Sequence, residues 1–185
     1  MKVFRASADV NHYQYLLPAD TDAPGVYDFD CTPKEPWNPP EVYSYKPLLL
    51  AADIWGYGMI ESTWAVSPGA FERLKWLLVG AGELLPLPFD NQQFALLNVT
   101  QCVNCLDHNK TEWVIGETTG KPIRIERYAF HGDRLPESSV FKIPETHRGE
   151  VLCYEGGKDR DDELKPFVER HNITGLRFTE LWSSD

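Results

Sequence analysis

Residues 84–107, LLPLPFDNQQFALLNVTQCVNCLD, constrain the fold more than any other stretch of the chain. Two apolar, strand-like runs flank a polar turn, Asp90-Asn91-Gln92-Gln93; the first run ends at Phe89 and the second starts at Phe94. Turn residues of this kind tolerate tight backbone geometry, so the pattern predicts a β-hairpin. Alternation from Leu97 through Val99, Gln101, Val103 and Cys105 carries the second strand to the end of the stretch and puts Leu97, Val99, Val103 and Cys105 on one buried face. The stretch holds no catalytic apparatus. Function has to come from elsewhere.

Upstream, residues 3–8 and 13–17 read as short strands, followed by an acidic, turn-rich segment with Asp20, Asp22, Pro24, Gly25, Asp28 and Asp30. Pro33, Pro36, Pro39, Pro40 and Pro47 exclude regular helix from the next stretch, while Trp37, Tyr43 and Tyr45 give it enough apolar surface to lie ordered on the body. A brief apolar run at 48–52 leads into 53–60, where Gly56 and Gly58 predict a bend. The clearest helix starts with Ser67 as N-cap and Pro68 as its first residue. It carries Phe71, Leu74 and Leu78 on one face and Glu72, Arg73 and Lys75 on the other, and stops at Gly80 or Gly82.

Downstream, residues 111–115 and 123–130 read as strands around a Thr119-Gly120 turn, and 140–143 and 151–154 continue the β pattern. A charged segment at 156–163 enters a helix bearing Leu164, Phe167 and Val168, with Pro166 in its first turn and an end near Asn172; a turn and final strand follow at 174–178. These elements predict an α+β fold, one domain over residues 1–185, with a mainly antiparallel sheet and two principal helices.

With 185 residues, 42% hydrophobic and 12% aromatic, the chain can fill one core of ordinary size. Eighteen Lys and Arg against 28 Asp and Glu leave a formal net charge of -10, which opposes the phosphate neutralisation that nucleic-acid binding requires. The same charge would speed encounter with a basic macromolecule. The N-terminal residues lack the continuous apolar core of an export signal, and no stretch has the roughly 20 apolar residues that span a bilayer. The expectation is therefore a cytoplasmic protein with no membrane partner and with Cys31, Cys102, Cys105 and Cys153 reduced. The Asn-x-Thr sequons at Asn98, Asn109 and Asn172 are then chance matches.

Cys102-x-x-Cys105-x-x-His108 is the sharpest chemical candidate, because thiolates and imidazole bind zinc and a CxxC can cycle between thiol and disulfide. On a strand, however, positions three apart face opposite sides, and no second Cys/His pair supplies the remaining ligands. No metal or cofactor is expected. The Asp20 to Asp30 cluster lacks the ligand spacing of a calcium loop, and Gly56-Tyr-Gly58 meets Glu61 where a phosphate-binding glycine would stand. No Gly-x-Ser-x-Gly elbow occurs, and the five histidines are scattered. An enzyme would need a pocket assembled from dispersed residues such as His108, His131, Asp133 and Glu145.

The remaining anomaly is aromatic. Tyr27, Phe29, Trp37, Tyr43, Tyr45, Trp55, Tyr57 and Trp64 crowd the N-terminal third among acidic residues. Some of these rings fill the core, and others would anchor a protein interface. The candidate anchors are Trp37, Tyr43, Tyr45, Trp55, Tyr57 and Trp64, with Glu41 and Glu61 as acidic neighbours.

In order along the chain, Leu85-Pro86, Leu97-Asn98-Val99, Cys105-Leu106-Asp107 and Gly175-Leu176-Arg177-Phe178 form a series that resembles immunity family eleven, bacterial immunity proteins of polymorphic-toxin systems first catalogued as a domain of unknown function. The resemblance spans residues 53–181 and leaves the irregular, Pro- and aromatic-rich residues 1–50 outside. It implies a cytoplasmic, non-enzymatic protein that neutralises a cognate toxin by stoichiometric binding, with no catalytic residues to carry over. A basic toxin would suit the charge, and a homo-oligomer is compatible with the pattern.

Overall fold

The computed structural model describes residues 1–156 and 160–184. Twelve strands and two helices are formed among them: β1 (Lys2–Ala8), β2 (Tyr15–Pro18), β3 (Val42–Tyr45), β4 (Ile54–Tyr57), β5 (Ile60–Val66), α1 (Pro68–Leu78), β6 (Gly82–Phe89), β7 (Gln92–Val99), β8 (Glu112–Ile115), β9 (Pro122–Arg127), β10 (Val140–Phe141), β11 (Leu152–Glu155), α2 (Leu164–Arg170) and β12 (Leu176–Ser183). A six-stranded sheet runs in the order β3-β2-β4-β5-β7-β6, a four-stranded sheet in the order β10-β11-β1-β12, and β8 pairs with β9 alone. Every pairing between these strands is antiparallel except β2 with β4. The fold is the α+β arrangement that the sequence predicts.

Apolar side chains gather in three layers. Between the two larger sheets, Phe4 and Ala6 of β1 meet Ile54, Trp64, Val66, Leu97 and Val99, with Leu74 and Leu78 of α1 and Leu164, Phe167 and Val168 of α2 closing the ends. On the other face of the six-stranded sheet, Trp55, Tyr57, Leu87, Phe94 and Leu96 pack under Val26 and Phe29 of the acidic N-terminal segment. The outer face of β1 and β11, with Val3 and Leu152, is covered by Cys105, Leu106, Tyr128, Phe130 and Phe141. β4, β5 and β7 are therefore covered on both faces, and their residues are almost all buried.

The 84–107 stretch forms its hairpin, but its turn and its far end differ from the expectation. β6 pairs with β7 from Gly82↔Val99 to Phe89↔Gln92. Only Asp90 and Asn91 stand between the strands, at φ 49° and 56°, so the connection is two residues long rather than four. Two consecutive positive φ values match the twist of the flanking strands, and Asp and Asn tolerate them. β7 ends at Val99, because the amides of Thr100 and Gln101 both turn to the Ala81 carbonyl at 3.1 Å. Cys102 then bridges Lys142, and Val103 and Cys105 belong to the outer layer, away from Leu97 and Val99.

The predicted bend at 53–60 is a hairpin. β4 and β5 pair around Gly58 and Met59, at φ 62° and 59°. The glycine that reads as an interruption makes the turn possible, since a Cβ at Gly58 would fall 2.3 Å from the Tyr27 ring. α1 keeps its expected start at Pro68, and α2 holds Pro166 in its first turn. β12 runs on to Ser183, beyond the expected end at 178, because all of β1 pairs with it. Part of the charged 156–163 segment lies outside the described residues. No helix among the described residues is long and apolar enough to cross a membrane.

Candidate partner-binding surface

β3 is an edge strand, paired only with β2. Tyr45 stands opposite Tyr15 and Tyr43 opposite Leu17, so the two tyrosines share one face. The Tyr45 ring lies 5.1 Å from the Tyr15 ring, and Lys46 Nζ lies 5.9 Å from the same Tyr15 ring. Tyr43 and Tyr45 are 48% and 42% exposed, and the following loop adds Leu48 at 98% and Leu50 at 70%. That loop is fixed from beneath: Gln14 Nε2 donates to the Leu49 carbonyl (2.7 Å) and the Gln14 amide to the Leu50 carbonyl (3.0 Å). Exposed apolar groups are thus held in place on ordered backbone.

Just upstream of the tyrosines in the chain, a hollow of about 660 Å³ opens between residues 39–42 and residues 88–93. Glu41 and Asp90 contribute its carboxylates, and Pro39, Pro40, Pro88 and Phe89 its stiff walls. Trp37 holds the first wall against the second, its Nε1 donating to the Pro86 carbonyl of β6 at 2.8 Å. Trp37 is half-buried and serves here as a strut. The Ala19 amide donates to the Glu41 carbonyl (2.8 Å), leaving the Glu41 side chain exposed at the rim.

Three of the predicted anchors are core residues. Trp55 is 6% exposed and donates Nε1 to the Ala52 carbonyl at 2.7 Å, packing edge-on to Phe94. Tyr57 is enclosed, its hydroxyl donates to the Val26 carbonyl at 3.2 Å, and burial raises its pKa. Trp64 is likewise enclosed and donates Nε1 to the Ala6 carbonyl at 3.2 Å. Each polar tip is satisfied by backbone inside the fold, so none of the three is available to a partner. Glu61 is exposed but sits 4.0 Å from Arg5, which also pairs with Glu150 at 2.6 Å. Besides Glu61, the predicted residues that stay exposed and outside the core are Glu41, Tyr43 and Tyr45; exposed Leu48 and Leu50 follow in the next loop, and Asp90 shares the hollow with Glu41. The 48–52 run carries no functional motif; the nearest signal in the sequence is the three leucines that directly follow Pro47.

The residues of the enzyme reading come together only in part. His108 Nε2 lies 2.9 Å from Glu145 Oε1, and His131 Nε2 lies 3.9 Å from Asp107 Oδ1, while Asp133 is exposed in a short 3-10 turn. The His108 side chain is 63% exposed and stacks on Trp113, a surface placement rather than a water-excluded cleft. Cys102 is exposed and Cys105 buried, pushed up to about 12 by desolvation. No protein-family model matches the chain, and no curated protein is significantly similar to it.

Proposed function

We propose that this chain is an immunity-type protein that binds a basic protein toxin in the cytoplasm and blocks it stoichiometrically. The observation that carries the reading is the rigidly supported, solvent-facing pair Tyr43 and Tyr45 on an edge strand, just downstream in the chain of an acidic hollow lined by Glu41 and Asp90. Tyrosine rings bury a large area while losing few rotamers, which suits them to the centre of an interface. Leu48 and Leu50 extend the apolar contact, and the carboxylates supply a seat for Lys or Arg of the partner. The net charge of -10 supports the choice of a basic partner.

Co-expression with the toxin domain encoded by the adjacent gene is the test, followed by affinity capture and a survival assay. The reading requires a one-to-one complex that protects the cell and is lost when Tyr43 and Tyr45 are both replaced by Ala. Protection with no complex would point instead to a small enzyme and direct attention to His108 and Glu145. A protective complex indifferent to the tyrosines would keep the inhibitor role and move its surface.

A further inference from the structure

The backbone around Cys31 is fastened to the body at three places. Lys142 Nζ donates to the Phe29 carbonyl (2.5 Å), Asn98 Nδ2 donates to the Thr32 carbonyl (2.8 Å), and Glu83 Oε2 accepts from the Lys34 amide (3.0 Å). Between these points Cys31 is held at φ 72°, a left-handed conformation that is uncommon for a residue with a Cβ. On the body side, Cys102 forms an isolated parallel bridge with Lys142, which sets the two side chains next to each other on one face. The Val103 amide donates to the Lys142 carbonyl and the Lys142 amide to the Gln101 carbonyl, both at 2.9 Å, so this pairing is rigid. Lys142 thus reaches Phe29, two residues before Cys31, and Asn98 holds Thr32, one residue after it, so the segment carrying Cys31 lies over Cys102, close enough for the two thiols to interact.

We propose that Cys31 and Cys102 constitute a modification site, a dithiol that small disulfides oxidise to a Cys31–Cys102 disulfide, stapling the N-terminal segment to the body. The inference is independent of the partner-binding reading. Cys102 is the exposed member and meets the oxidant RSSR first. Its thiolate attacks one sulfur of RSSR; a Cys102–SR bond forms, the S–S bond of the oxidant breaks, and RS⁻ leaves to take up the proton that Cys102 released. Cys31 then gives up its proton and attacks Cys102 Sγ. The protein disulfide forms, the second RS⁻ departs and becomes RSH, and in sum two protein thiols are oxidised while one RSSR is reduced to two RSH.

Burial pushes the Cys31 thiol up to about 12, opposed by the positive charges of Lys142 and Arg148, which favour its thiolate. The second step is therefore the slow one, and Lys142 is placed to assist it. Cys105 and Cys153 are enclosed and do not compete.

The test is incubation of the reduced full-length protein with oxidised glutathione, acid quenching, alkylation, and peptide mapping by mass spectrometry. The expected product is a Cys31–Cys102 crosslink that leaves two alkylatable thiols, melts at a higher temperature than the reduced protein, and fails to form in C31S, where Cys102 stops as the glutathione adduct. The mapping on the wild-type chain decides the matter even if C31S folds poorly. A wild-type protein that stops at the Cys102 adduct, links Cys102 to Cys105, or retains four thiols would overturn the proposal.

Discussion

Trp64 and Tyr43 carry aromatic rings of similar bulk, yet replacing them removes different things. Trp64 is enclosed between the sheets with its Nε1 on the Ala6 carbonyl. Trp64→Ala should leave a cavity and an unpaired carbonyl, at a cost of about 3–5 kcal/mol in a urea denaturation series. Tyr43 is 48% exposed, and Tyr43→Ala should shift the same measurement by about 0.5 kcal/mol or less while weakening the proposed toxin complex. Lys142 offers a second check at this scale. It is fully enclosed, and desolvation lowers its pKa from 10.5 to about 8. Between those two values the unfolded chain binds the extra proton and the folded chain does not, so Lys142 destabilises the fold fully below pH 8 and progressively less as pH rises toward 10.5. Across that window the stability of the wild type relative to Lys142→Met, which also loses the bond to the Phe29 carbonyl, should rise with pH in thermal melts, by about 1.4 kcal/mol for each unit of pKa difference. Thiols and phenols that do not interact with Lys142 cancel in that subtraction, whereas Cys31, whose thiolate Lys142 favours, contributes to the difference.

At the scale of elements, hairpins and a close crossing organise the body. The β4–β5 and β6–β7 connections each take two residues at positive φ, which pins register because any slip would turn the buried faces of these strands outward. Gly175 matters for a different reason. It joins α2 to β12 at φ 96°, and a Cβ there would lie 1.9 Å from the Ile54 carbonyl oxygen and 2.8 Å from Ala52 Cβ. Across the same crossing, the Ile54 amide donates to the Thr174 carbonyl, and Asp53 Oδ2 accepts from both the amide and the hydroxyl of Thr174. Gly175→Ala should therefore force β4 and β12 apart and cost more than about 2 kcal/mol, since positive φ and a backbone clash add. Thr174→Ala removes only side-chain contacts at an exposed site and should cost no more than about 1 kcal/mol. Equal losses from the two variants in parallel melts would mean that the crossing relaxes more freely than its geometry implies.

For the whole molecule, the proposed function predicts that charge sets how a partner arrives and that the apolar patch sets how long it stays. Glu41 lies at the rim of the hollow, just upstream of Tyr43, so Glu41→Lys should slow association with a basic partner and flatten its dependence on salt, with little change in the dissociation rate. Tyr45→Ala should do the reverse, speeding dissociation at a cost of about 2 kcal/mol, roughly thirtyfold in affinity. Stopped-flow or surface-binding kinetics at two ionic strengths separate the two effects. Periodicity and turn chemistry determined much of this molecule without help. Ser67-Pro68 opens α1, Leu164, Phe167 and Val168 face inward from α2, and a polar turn within residues 90–93 closes β6 onto β7, although its two-residue length does not follow from the pattern, because each of these depends on neighbours within a few residues. Local pattern cannot assign a side chain that is apolar in either setting. Trp55, Tyr57 and Trp64 went inside and Tyr43 and Tyr45 outside only because β4 and β5 are central strands covered on both faces, whereas β3 is an edge. The meeting of Cys31 with Cys102 beside Lys142 was equally beyond sequence, since it brings together three segments distant along the chain, and only the packing of the N-terminal loop on the body sets them side by side.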